Sequence, residues 1–286
     1  MPAGRRGRDS RARKPRVALR LTALIPLALL ATGCDGKWSR GGFPDPITSE
    51  GDNLLGVWRG FLVTSGIVGL FVIALIVYSA IFFRRRSPDE LPRQVRYNLP
   101  IEVLYTLVPT LMVAILFYFT AIRENDHDKF NEQAADVRIN VVGFQWNWQF
   151  NYLDDGLSVT GRPGEQPELV LPVDSNVRFY ETSPDVVHAF WVIPFLFKRD
   201  VVPGRTNQFQ VHLTHTGTFD GKCTEFCGTD HDRMLFKLRV LPQDEYDAWL
   251  ADTKNVASTG DNPMINVYTG PTDLDLGTAD EQRSEQ

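Results

Sequence analysis

The chain has 286 residues, with 30 lysines and arginines against 35 aspartates and glutamates, and three cysteines. Its charge is uneven: residues 1–33 hold eight basic side chains and one acidic, whereas residues 123–286 hold 14 basic and 27 acidic, a balance of −13. So acidic a C-terminal part argues against nucleic-acid binding; it is either a merely solvated surface or one that steers a basic protein partner.

At the N-terminus Arg5, Arg6, Arg8, Arg11, Arg13, Lys14, Arg16 and Arg20 lead into the apolar residues 21–31 and then into small residues, the order of an export signal. The run Leu30-Ala31-Thr32-Gly33-Cys34 resembles a bacterial lipoprotein signal, cleaved before Cys34, whose thiol is then acylated. Ala31 stands where leucine is usual, so ordinary cleavage nearby, or none, stays open. Acylation would remove an exposed unpaired thiol, a liability outside the cell. The expected segments are a signal peptide over 1–33 and an external segment over 34–52.

Residues 60–83 carry no charge, and residues 99–122 carry one, Glu102. Each run is long enough for a tilted helix to cross a hydrocarbon core of about 30 Å. Five arginines lie between them (Arg84, Arg85, Arg86, Arg93, Arg96), which places the loop 84–98 in the cytoplasm and the rest of the mature chain outside. The expected hairpin spans 53–122, in a bacterial plasma membrane. Trp58 and Tyr118 fall where interface anchors belong, and Pro109 interrupts the second span. Glu102 has two readings: a carboxylate reaching water at the inner surface, or a proton-conducting group.

After the polar linker 123–136, short strands are expected over 137–142, 146–152, 168–172, 177–181, 206–213 and 234–240, separated by Gly, Pro and Asp turns. Such a series forms a β-sandwich or barrel. A short amphipathic helix is expected over 243–251. The acidic residues 252–286 read as a disordered tail.

The chemistry concentrates in Cys223, Cys227, His231 and Met234. Thiolates, imidazole and thioether together select copper. Two thiolates four residues apart can bridge two metals and share charge between them, which suits electron transfer. A disulfide and a Cys2His2 zinc site compete with this reading. His231 and Met234 count against the disulfide, and Met234 counts against zinc. A second imidazole is needed. His188, in an apolar loop over 183–194, is one source; His212 and His215 are rivals on a strand, and His127 lies in the linker.

These residues resemble subunit II of cytochrome c oxidase in its bacterial lipoprotein-like form. The resemblance covers residues 53–250. It rests on Cys223-x-Glu225-x-Cys227-x3-His231-x2-Met234, Val186-Val187-His188-Ala189-Phe190-Trp191-Val192, the segment 200–208, Gln145-Trp146-Asn147-Trp148, and Glu102 with Tyr105, Thr106 and Pro109. It implies a two-helix transmembrane hairpin followed by an all-β cupredoxin domain, a Greek-key sandwich, over 123–251. It implies two copper ions (CuA) bridged by Cys223 and Cys227, with His188 and His231 binding one copper each. Met234 and the Glu225 carbonyl are the implied weak ligands. The Glu225 side chain is implied to share a magnesium ion with subunit I, which holds the haems. Trp146 is the implied entry point for electrons from cytochrome c or a membrane-held c-type cytochrome, and Glu102 lies at the implied mouth of a proton pathway. Asp185 and Asp200 are candidate acidic contacts for that donor. The implied reaction is oxygen reduction coupled to proton pumping, by the complex and not by this chain alone. A copper-containing nitric oxide reductase subunit is the alternative. The chain has no CxxCH motif, so it carries no c-type haem attachment site of its own.

Overall fold

The computed structural model describes residues 40–87, 91, 94–128 and 135–270. The expected signal segment 1–33, Cys34, the side chain of His127 and the chain beyond residue 270 lie outside them.

A long uncharged stretch satisfies its backbone in lipid only through an internal ladder. Helices α1 (Ser49–Phe82) and α2 (Leu99–Asp128) are those ladders, and both are long and apolar enough to cross a membrane. At 1.5 Å per residue, α1 is about 50 Å long. It starts well before the uncharged run because Thr48 caps it, its hydroxyl accepting the Gly51 N–H at 2.9 Å. The helix α2 runs through Pro109 without a break. Near its start, Glu102 accepts the Asn98 backbone N–H at 2.9 Å, and the Thr106 hydroxyl donates back to the Glu102 carbonyl.

The N-terminal end of α1 is fixed to the domain that follows α2. The Ile47 N–H donates to the Pro194 carbonyl at 3.2 Å, and the Ile47 carbonyl accepts from Thr214 at 2.8 Å. The Glu50 carboxylate accepts the His212 backbone N–H at 3.0 Å. Ile47 and Leu55 are buried.

The domain after α2 is the expected two-sheet sandwich. One sheet runs β11 (Ile265–Val267), β3 (Leu157–Thr160), β2 (Asn147–Tyr152), β1 (Val137–Phe144), β5 (Asn176–Thr182), β8 (Asn207–His212). The other runs β4 (Glu168–Pro172), β10 (Leu235–Leu241), β9 (Gly217–Cys223), β6 (His188–Val192), β7 (Arg199–Val201). The pairs β1–β5 and β4–β10 are parallel and the others antiparallel. Aromatic side chains fill the space between the sheets: Phe190 stacks on Phe236 with centroids 4.9 Å apart, and Phe179 on Phe209 at 4.8 Å. Gly221 makes room for this, since a Cβ there would lie 2.1 Å from the Phe236 ring.

Three expectations need correction. The apolar residues 183–194 are not simply a loop, because His188–Val192 form a strand inside the second sheet. That strand is covered on both faces, so it shows no polar–apolar alternation. Trp146 is not in a strand with Trp148. It lies with Gln145 in the two-residue connection between β1 and β2, where Phe144 pairs with Asn147. Finally, residues 252–270 are ordered structure and not tail. Helix α3 (Gln243–Thr259) continues past residue 251, Gly260 ends it in the left-handed region at φ 72°, and β11 then pairs with β3. Tyr246, Trp249, Leu250, Thr253 and Ala257 recur at helical spacing, with Trp249 5.5 Å from Tyr152.

Glu181 is fully buried on β5, and neither carboxylate oxygen has a hydrogen-bond partner among the described residues. Burial pushes its pKa well above 4.5, with Arg199 pulling it down and Asp200 adding to the rise. A carboxyl that holds its proton more tightly when folded loses stability as pH rises above its unfolded value. Thermal midpoints of the Glu181→Gln variant should therefore fall less steeply between pH 5 and pH 8 than those of the unsubstituted protein. Equal slopes would show that Glu181 does not carry this penalty.

Candidate metal centre

Two neighbouring strands supply the site. Strand β6 begins at His188 and β9 ends at Cys223, and the pairing of Phe190 with Cys223 brings those ends together. The loop 224–234 then folds back before β10. It carries Glu225, Cys227 and His231, and ends on Met234 in a short 3-10 turn. His188 and Met234 are fully buried, and both cysteines are nearly so.

The donor atoms form two lobes around the two sulfurs. Cys223 Sγ lies 3.9 Å from His188 Nδ1 and 3.3 Å from the Glu225 carbonyl oxygen. Cys227 Sγ lies 3.5 Å from His231 Nδ1 and 4.0 Å from Met234 Sδ. The sulfurs are 3.9 Å apart, far beyond a disulfide bond of about 2 Å, and both cysteines are free. His188, Cys223 and Cys227 form a metal-capable group whose ligand atoms all lie within 4.8 Å of one another. The two sulfurs and the four donors around them, six in all, exceed what one tetrahedral zinc takes, and thiolate, imidazole and thioether are donors that suit copper. His212 and His215 are not in this group. His212 anchors α1 through its backbone, and His215 contacts Thr214.

The two thiols have opposed tendencies. Burial pushes Cys223 up, but hydrogen bonds from His188 and nearby backbone outweigh it and bring its pKa down to about 7. Burial, and then the charge on Cys223, push Cys227 up to about 12. One thiol ionises readily, and its charge holds the proton on the other.

Around this group lies a shell that the sequence reading missed. The Asp185 carboxylate contacts His188 Nε2 at 2.9 Å and accepts the Gln145 backbone N–H at 2.7 Å. Burial raises its pKa, but the bonds from His188, Gln145 and Val186 prevail and lower it. For His188, burial lowers the pKa, and Cys223 and Asp185 together raise it. The Cys227 carbonyl accepts two donors, Gln145 Nε2 at 2.8 Å and Trp146 Nε1 at 3.3 Å. Gly228 permits this approach: its φ is +127°, and a Cβ there would sit 3.0 Å from the indole nitrogen. The Trp148 indole, wholly in the core, donates to the Met234 carbonyl at 3.3 Å. The sequence signals for this shell were the Gln145-Trp146-Asn147-Trp148 motif and Asp185, neither of which pointed to these contacts.

Trp146 is half-buried and lines a cleft of about 680 Å3 with Asn147, Arg162, Glu165, Asp230, Asp232 and Arg233. The two acids proposed from sequence for donor contact have other engagements. Asp185 is bonded to His188, and Asp200 lies 3.9 Å from Lys198, which is also 3.6 Å from the Glu225 carboxylate. Glu165, Asp230 and Asp232 are the acids that line the cleft with Trp146, and Asp230 lies 3.9 Å from Arg233.

Residues 165–240 match the family model described as cytochrome c oxidase subunit II, periplasmic domain. A probable cytochrome c oxidase subunit 2 of Streptomyces avermitilis is 40% identical, over 89% of this chain and 92% of that protein. The cytochrome c oxidase subunit 2 of Mycobacterium bovis is 34% identical over 91% and 90%. The crystal structure of the periplasmic domain of oxidase subunit II from Bradyrhizobium japonicum is 35% identical over 42% of this chain and 95% of that one, with a TM-score of 0.40. With relatives of such identity aligned over nearly their whole length, the chain belongs to the cytochrome c oxidase subunit 2 family.

Proposed function

We propose that this chain is the electron-entry subunit of a cytochrome c oxidase, set in the bacterial plasma membrane by α1 and α2 with its sandwich on the outer face. The observation that carries the reading is the pair of free buried thiols with an imidazole beside each. Relatives named as cytochrome c oxidase subunits favour this over a nitric oxide reductase.

Cys223, Cys227, His188 and His231, with Met234 and the Glu225 carbonyl, would hold two copper ions. Bound there, the pair of ions supplies a one-electron carrier. The protein's own contribution is rigidity: the ligands sit on strand ends and one tied-down loop, so little moves when charge changes. Trp146 offers the way in, because its indole N–H reaches the carbonyl of Cys227 from a cleft open to solvent. The donor is a c-type cytochrome with a basic face, drawn by Asp230 and Asp232. The Glu225 carboxylate takes part in a magnesium site shared with subunit I, which also holds the haems. Glu102 serves at the inner end of α2 as a proton entry group, and its bond to the Asn98 N–H orients its carboxylate.

Copper analysis and electron paramagnetic resonance of the purified full-length protein test this. Two coppers per chain sharing one unpaired electron are expected, and chelating the metal or changing Cys227 to Ser should abolish the signal. A single zinc, or a disulfide that refuses copper, would refute the reading. Trp146→Ala should slow electron entry from a c-type cytochrome about tenfold or more, a barrier change of at least about 1.4 kcal/mol, with copper content unchanged. Turnover with that donor should also fall as salt rises; independence of ionic strength would reject the acidic docking surface.

A further inference from the structure

The connection between β1 and β2 is two residues long, and both of its residues reach the copper loop. Gln145 lines the same cleft as Trp146, and it also makes two bonds that lead toward opposite halves of the centre. Its side-chain N–H holds the Cys227 carbonyl at 2.8 Å. Its backbone N–H holds the Asp185 carboxylate at 2.7 Å, and that carboxylate meets His188 Nε2 at 2.9 Å. His188 belongs to the Cys223 lobe, and Cys227 anchors the other. Gln145 is thus the residue outside the ligand set whose bonds lead to both lobes.

We propose that Gln145 is a positioning residue for the binuclear site, fixing the two lobes relative to each other through the Cys227 carbonyl and the Asp185–His188 pair. This rests on the copper reading above. A histidine ligand is oriented by what its far nitrogen meets, and here that is Asp185. The orientation of Asp185 depends in turn on the turn that donates to it. The carbonyl of Cys227 lies three bonds from its own side-chain sulfur, so its two donors restrain the loop at the thiolate. Losing the side-chain donor frees that restraint and leaves the turn held only by Trp146 and Asp185.

The substitutions Gln145→Met and Gln145→Glu both remove the N–H at nearly constant size. The glutamate also turns an acceptor toward the Cys227 carbonyl, so its effect should be the larger. Each is placed in the full chain within its purified oxidase complex. The readouts are copper content, the copper hyperfine pattern, the near-infrared absorption of the centre, its midpoint potential and the thermal midpoint. Expected are full copper content, a changed hyperfine splitting with a shifted near-infrared band and potential, and electron entry slowed about tenfold. Spectrum and potential identical to the unsubstituted complex would overturn the proposal, even with a lowered thermal midpoint, because a merely structural residue moves only the last. If the unsubstituted complex itself lacks a two-copper signal, the underlying copper reading fails instead.

Discussion

Two buried thiols side by side present an electrostatic problem that the surrounding residues do not solve. Ionising Cys223 is helped by His188 and by backbone donors, but its charge then opposes ionisation of Cys227. Joining the sulfurs would remove the charge, but they are held 3.9 Å apart. A metal held by both thiolates would ease this conflict, and on that reading the protein's task is to keep the donors in place.

That task falls to the sandwich. The stacked pair Phe190–Phe236 and the cleared space at Gly221 fix β6, β9 and β10 against one another. His188, Cys223 and Met234 sit at or beside the ends of those strands, so core packing sets their separation before any metal arrives. Removing an aromatic ring from such a core costs about 3–5 kcal/mol. The membrane end is tied to the same frame: residues 47–50 bond to the Pro194 carbonyl and to the backbones of Thr214 and His212. Pro194 follows β6 by two residues. The anchor and the strand that carries His188 are thus linked through one short stretch of backbone.

Much of this was legible in the sequence because it rests on local patterns. Uncharged runs separated by arginines revealed the hairpin, and the Cys, His and Met spacing in one loop pointed to the metal. What stayed hidden depended on tertiary context. Strand β6 is apolar on both faces, so its period cannot be seen. Helix α3 was cut short because its composition is acidic, although its apolar residues keep helical spacing as far as Ala257. Strand β11 has three residues and exists only because β3 offers an edge. Asp185 looked like a surface acid, since nothing in the sequence says that its carboxylate turns back onto His188.

The position of Trp146 and Gln145 in one turn has a consequence for how such a centre can change. On the proposed function, the surface that a donor would meet and the groups that restrain Cys227 belong to adjacent residues on the same backbone. A substitution that reshapes the turn to suit another donor also shifts the backbone N–H that holds Asp185. Docking surface and copper geometry are therefore coupled at this point. The acids that would vary for partner choice are those lining the cleft, Asp230, Asp232 and Glu165. Electrostatic steering acts over about 8–10 Å in physiological salt, so charges at that remove can adjust the encounter while the bonds to the ligand loop stay as they are.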